Sequence, residues 1–119
     1  MSTGDDMPVI RKSADNFFKI RGKRAIDLGS KGPKDLGRIP EGDVDIWAFI
    51  EEEKARGPNR VFTFRAADGE AAFKRAERRV ETMEIKRAIL GKIVGVDPED
   101  GEPVFRDISI LSFVEKAAA

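Results

Sequence analysis

The 119-residue sequence contains no histidine, no cysteine and no tyrosine. These absences remove the commonest general base and metal ligand, the thiolate nucleophile and the phenolic acid. They also exclude disulfides and thiolate metal sites. Carboxylates, amines, guanidinium groups and hydroxyls remain, so an enzyme is not excluded. A carboxylate-based metal enzyme is nevertheless the least favoured class, because the commonest catalytic residues are missing. We therefore expect a non-enzymatic protein without a cofactor or a metal.

Long apolar runs are also missing. No run of apolar residues approaches the length of a membrane-spanning helix, and residues 1–8 lack the basic and apolar segments of a signal peptide. The chain is 40% hydrophobic and 37% charged, which is too apolar for a disordered chain. We expect a cytoplasmic protein that does not contact membranes.

What the chain does have is charge in blocks. It holds 22 basic and 22 acidic residues, yet the net charge alternates as +4, −4, +4 and −4 over residues 1–38, 39–59, 60–92 and 93–119. If the two basic blocks met in the fold, one face would be positive and another negative, despite the zero sum.

The expected fold is one α+β domain over residues 9–115, between a flexible tail at 1–8 and a frayed C-terminus at 116–119. We expect a mostly antiparallel sheet of four or five strands, with two helices packed on one face.

The first half of the chain predicts three segments. Residues 9–28 are extended, with a loose hairpin around Gly22. Residues 29–43 form a long loop rich in glycine and proline. A first helix is expected from about 44 to 56, because Ile46, Phe49 and Ile50 have helical spacing and Asp43 or Asp45 can cap its first turn.

The second half predicts a strand, a helix and a hairpin. Residues 60–65 are β-branched and aromatic, which is typical of a strand. Residues 69–83 form the best-defined helix, capped by Asp68. Residues 85–96 and 104–114 form two strands around the turn 97–103, with a bulge at Gly91.

The strongest candidate for a functional surface is the basic side of the second helix, with the cations that follow it. Clustered cations on an exposed face are typical of phosphate binding. The alternative is an ordinary solvated helix face with i, i+4 ion pairs. The predicted residues are Lys74, Arg75, Arg78, Arg79, Lys86 and Arg87.

A second candidate is the strand 60–65. Phe62 and Phe64, bracketed by Arg60 and Arg65, would stack bases if their side were open to solvent. The alternative, which the energetics of burial favours, is that both rings pack in the core.

The N-terminal basic block is a third candidate. Arg21, Lys23 and Arg24 follow Phe17 and Phe18, and such a hairpin is able to wrap a nucleic-acid strand. The alternative is an edge hairpin that its cations protect against aggregation.

Two further segments are weaker candidates. The acidic turn 97–102 lacks the spacing of a calcium loop and is expected to be a solvated tip. The glycine- and lysine-rich loop 29–34 lacks the pattern and context of a phosphate-binding loop.

These patterns lead to two hypotheses. The preferred one is a small protein that binds nucleic acid through the phosphate backbone, with little sequence preference. Its ligand is either single-stranded or recognised by its shape. The alternative is a protein-interaction or assembly module, such as an adaptor, a phage-type structural accessory or a self-associating subunit, that uses complementary charge blocks.

Overall fold

The computed structural model describes residues 9–12, 16–22, 24–52 and 60–113. The predicted tail at 1–8 and frayed end at 116–119 lie outside these ranges. A short 3₁₀ turn at Glu41–Asp43 accompanies the longer elements. In chain order these are β1 (Val9–Lys12), β2 (Phe17–Arg21), β3 (Arg24–Gly29), β4 (Ile46–Glu52), β5 (Arg60–Arg65), α1 (Gly69–Met83), β6 (Arg87–Val96) and β7 (Pro103–Phe113).

All the described strands belong to one antiparallel sheet. Six of them follow one another in the order β3-β2-β7-β6-β4-β5. The remaining strand, β1, pairs with residues 110–113 of β7, while β2 pairs with residues 105 and 106. Because β6 occupies the other edge of β7, β1 and β2 lie one after the other along the same edge, and β7 lies at the centre of the sheet.

The sheet curls into a half-barrel. The strands at its two ends, β3 and β5, approach each other. Ala25 of β3 and Val61 of β5 pack against the same apolar cluster, which is therefore on the concave side. The helix α1 covers the convex side. We call these the inner face and the outer face of the sheet.

The outer face carries the larger core. The buried side of α1, formed by Ala72, Ala76 and Val80, packs on a layer from the central strands that includes Phe49 and Leu90. Asp68 caps the helix, since its carboxylate accepts a hydrogen bond of 2.9 Å from the backbone N–H of Ala71. The inner core is smaller and is built around Phe18, Ala48, Ile50, Ile93 and Phe105.

A glycine allows the inner core to pack closely. A Cβ atom at Gly91 would lie 2.6 Å from the ring of Phe18 and 3.2 Å from the backbone oxygen of Arg106. The predicted bulge at this position is confirmed as a shift in the β6–β7 register between Leu90 and Gly91.

The predicted fold is wrong in its helix and strand numbers. The part of the chain that the structure describes contains one α-helix rather than two. Its sheet has six strands side by side, with β1 as a seventh strand paired with β7, rather than four or five. Over its described residues, the helix predicted at 44–56 is instead a turn at 44–45 followed by strand β4. Trp47 and Phe49 face α1 while Ala48 and Ile50 face the inner core, so both sides of the strand are apolar and the spacing mimics a helix.

Other predicted elements are confirmed. The strand at 60–65 and the helix at 69–83 have the predicted bounds. The hairpin at Gly22 joins β2 to β3, and the C-terminal hairpin consists of β6 and β7. Residues 30–40 form the expected loop, which an isolated bridge from Gly37 to Val96 ties to the sheet.

Candidate nucleic-acid interface

The first and fourth charge blocks pair with each other. The Lys19 ammonium lies 2.7 Å from an oxygen of Asp97 and 2.6 Å from one of Asp100. Next to it, the Arg21 guanidinium lies 2.9 Å from Glu102. The acidic turn between β6 and β7 is therefore an ion-paired partner of β2 rather than a solvated tip.

Lys19 and its partners change one another's protonation. Lys19 is only 4% exposed, and hydrogen bonds from its ammonium to Asp100 and Asp97 raise its pKa. The same bonds lower the pKa of Asp97 and of Asp100. Within the described ranges, no group of three or more acidic residues is placed to hold a metal ion.

The second and third blocks also pair with each other. Arg65 bonds to Asp43 and Asp45. Two further pairs join Arg79 to Glu51 and Arg87 to Glu52. The alternation along the chain is thus partly neutralised inside the fold, and Arg21, Arg65, Arg79 and Arg87 each already have a carboxylate partner.

Phe62 and Phe64 lie beneath arginines of α1. Phe64 is buried and Phe62 is partly buried, and both pack with the outer core. The Arg75 guanidinium lies 4.8 Å from the centre of the Phe64 ring, and that of Arg79 lies 5.3 Å from the Phe62 ring. We call these four residues the arginine–aromatic layer; they surround a cleft of about 120 Å³.

The geometry of α1 explains this layer. Arg75 and Arg79 each precede a buried residue, Ala76 and Val80, so they lie on the flank of the helix beside β5. Lys74 and Arg78 are exposed on the solvent side. Lys74 lies 3.3 Å from Glu70, one turn earlier, in a solvent-exposed pair.

The remaining predicted residues do not join this layer. Lys86 is exposed just before β6, and Arg60 is exposed at the start of β5. Arg21 and Arg24 lie opposite each other at the end of the β2–β3 hairpin, where Arg21 bonds to the acidic turn. Lys23 lies outside the described residues.

Sequence reasoning missed a polar cleft on the inner face. Its volume is about 240 Å³, and Asn16, Asp27, Arg87 and Asp107 supply its polar lining. These residues come from four separate segments, so no local motif marks them. The one available signal is a charged residue at 107, two positions after Phe105, which is a buried residue of the inner core.

Comparison with protein-family models, with curated proteins and with solved structures finds no match. Among the described residues, no helix combines the length and the apolar character needed to cross a membrane.

Proposed function

We propose that the protein binds single-stranded nucleic acid, with little sequence preference, through the outer side of α1 and the adjoining part of β5. The proposal rests on the arginine–aromatic layer. The Arg75 guanidinium held over the Phe64 ring is ordered before binding and leaves its N–H edge for a phosphate or its other side for a base. Arg79 is bound to Glu51 and supports the layer from within. A non-enzymatic role in the cytoplasm is part of the proposal.

The layer is flanked by cations that face solvent. Arg78 lies on the outward side of α1, and Lys86 is exposed after the helix. Glu77 and Glu81 occupy the opposite margin of the helix, so a strand is expected to follow the Arg75 side. The surface thus offers few phosphate contacts, and we expect moderate affinity with a shallow salt slope.

The test is fluorescence anisotropy of a labelled oligothymidylate of about 20 nucleotides, titrated at several salt concentrations. With about three phosphate contacts, the slope of log K on log salt should lie near −2. Replacing Arg75 and Arg78 together by Gln should weaken binding about tenfold or more at low salt.

A double variant of Lys31 and Lys34 to Gln is the matched control. Both lysines are exposed in the loop after β3, so the change in net charge is the same at a different place. An equal loss in both variants, a slope near zero or no binding at about 50 mM salt would overturn the proposal.

The rival hypothesis of self-association was based on free charge blocks. Because those blocks pair inside the chain, we expect a monomer by light scattering at both low and high salt. A salt-sensitive oligomer that does not bind the oligonucleotide would replace nucleic-acid binding with an assembly role.

A further inference from the structure

Asp107 is a buried carboxylate without a side-chain partner. Asp107 is 6% exposed. Within the described structure its carboxylate makes no hydrogen bond or ion pair, and it lines the inner cleft. Its backbone N–H donates to the oxygen of Asn16 over 2.8 Å. Among the described residues no fully buried side-chain oxygen lacks a partner, so the Asp107 carboxylate reaches solvent through the cleft. A largely buried anion in this position is unfavourable unless something else compensates it.

The other carboxylate of the cleft is held in place. One oxygen of Asp27 accepts a hydrogen bond of 3.1 Å from the Asn16 amide and another of 2.8 Å from the backbone N–H of Gly29. Arg87 also lines the cleft, but Glu52 binds its guanidinium. The lining thus carries two carboxylates and one guanidinium, which has its own carboxylate partner, so the cleft has a net negative charge.

The remaining wall is apolar. Phe18 and Ile50 are each 4% exposed and belong to the inner core, and Ala25 and Ile89 complete the lining. A hydrated metal ion would leave this wall unused, and an anion would be repelled by Asp27 and Asp107. A volume of about 240 Å³ is below that of a drug-sized site and suits one ring or a short chain.

We propose that this cleft binds a small organic cation, a primary ammonium on a short apolar stem. The ammonium is recognised by Asp107 together with Asp27, and the stem packs against Phe18 and Ile50. Three N–H donors on the ammonium match the free acceptor sites of the two carboxylates.

The proposal predicts a dependence on pH. Burial, with a smaller contribution from Asp27, raises the pKa of Asp107 to about 6, which Arg87 partly opposes. The charged groups facing Asp107 are thus Asp27 from β3 and Arg87 from β6. Because the acid form does not attract a cation, affinity should fall as the pH is lowered through 6.

The experiment is an ¹⁵N-HSQC titration with phenethylammonium up to about 10 mM at about pH 7.5, repeated at about pH 5. Shift changes are expected around Asn16, Ala25, Ile89 and Asp107. Asp107→Asn should weaken binding about 10- to 100-fold, since a hydrogen bond to a charged group is lost. Phenethyl alcohol, which has the same stem without the charge, should not bind.

Asp35→Asn is the matched control. Asp35 is exposed, and its positive φ of 54° suits asparagine; this variant should bind as the wild type does. If Asp107→Asn does not fold, Asp27→Asn, at an exposed position, replaces it. Equal binding of the alcohol, unchanged affinity at pH 5 or shift changes elsewhere would overturn the proposal.

This site is independent of the nucleic-acid proposal. It lies on the opposite face of the sheet from α1, so the Arg75 and Arg78 double variant should bind phenethylammonium normally. Failure of either experiment therefore leaves the other unaffected.

Discussion

Each face of the sheet buries one carboxylate, and the two differ in whether a cation binds them. Glu51 on the outer face is 0% exposed and is bound by Arg79 of α1. Asp107 on the inner face is almost as buried, yet within the described residues no cation bonds to it. The charge of Glu51 is compensated within the fold, whereas the carboxylate of Asp107 opens on the inner cleft, where we propose that a ligand binds.

The largest expected effect on stability comes from the Glu51–Arg79 ion pair of the outer face. Glu51→Ala should lower the free energy of unfolding by about 2–3 kcal/mol, because it leaves Arg79 without its carboxylate and opens a cavity beside the outer core. Urea unfolding at neutral pH measures this. Glu52→Ala should lower it by less than about 1 kcal/mol, since the Glu52–Arg87 pair is more exposed. Equal losses would contradict the contrast between buried and exposed pairs.

Lys19→Met should destabilise the protein less than Glu51→Ala, since Asp100, one of the two carboxylates that it leaves, is partly exposed. Their pKa values are lowered in the fold, so their stabilisation is complete above about pH 4 and is lost as the pH falls further. The difference in melting temperature from the wild type should therefore shrink in acid. Arg21→Met, at a more exposed position, is the control and should have a smaller effect.

Asp107→Asn should have the opposite sign and raise stability at pH 7 by about 1 kcal/mol. The folded protein holds this proton up to a pKa of about 6, above the usual value for aspartate. Wild-type stability therefore falls as the pH rises from about 4 to 6, and the advantage of the variant appears over that window. A destabilised variant at pH 7 would show that Asp107 has a partner and would remove the contrast with Glu51.

The smallest effect is expected on the surface of α1. Glu70→Gln removes the ion pair to Lys74. Because the side chains of both residues are more than 70% exposed, the change should lower stability by only about 0.3 kcal/mol. Urea unfolding in low and high salt checks this, because the small loss should disappear at high salt. A loss of stability as large as that of Glu51→Ala would mean that burial does not determine how much an ion pair stabilises the fold.

The fold was predictable where local signals act alone. Helix α1 has a cap at Asp68 and one apolar stripe, and β5 alternates aromatic residues with others, so both were predicted with correct bounds. Strand β4 was not predicted, because a strand that is buried on both sides loses the alternation of apolar and polar residues. No local pattern distinguishes its apolar run from a short helix.

The surfaces were harder to predict than the elements. The sequence indicated that Arg75, Arg79, Phe62 and Phe64 belong together, but not that the arginines cover the rings. The charge blocks suggested free surfaces, whereas they pair across segments about 80 residues apart in the case of Arg21 and Glu102. The inner cleft depends on four separate segments, and its only trace in the sequence is one charged residue at an inward position.

The central position of β7 has a consequence for biosynthesis. Of the described strands it is the last to be translated, and before it emerges β2–β3 and β4–β5–β6 share no strand that joins them. The sheet is therefore completed only after residues 103–113 have left the ribosome. Until the turn 97–102 also emerges, Lys19 and Arg21 lack the carboxylates with which they pair in the folded chain.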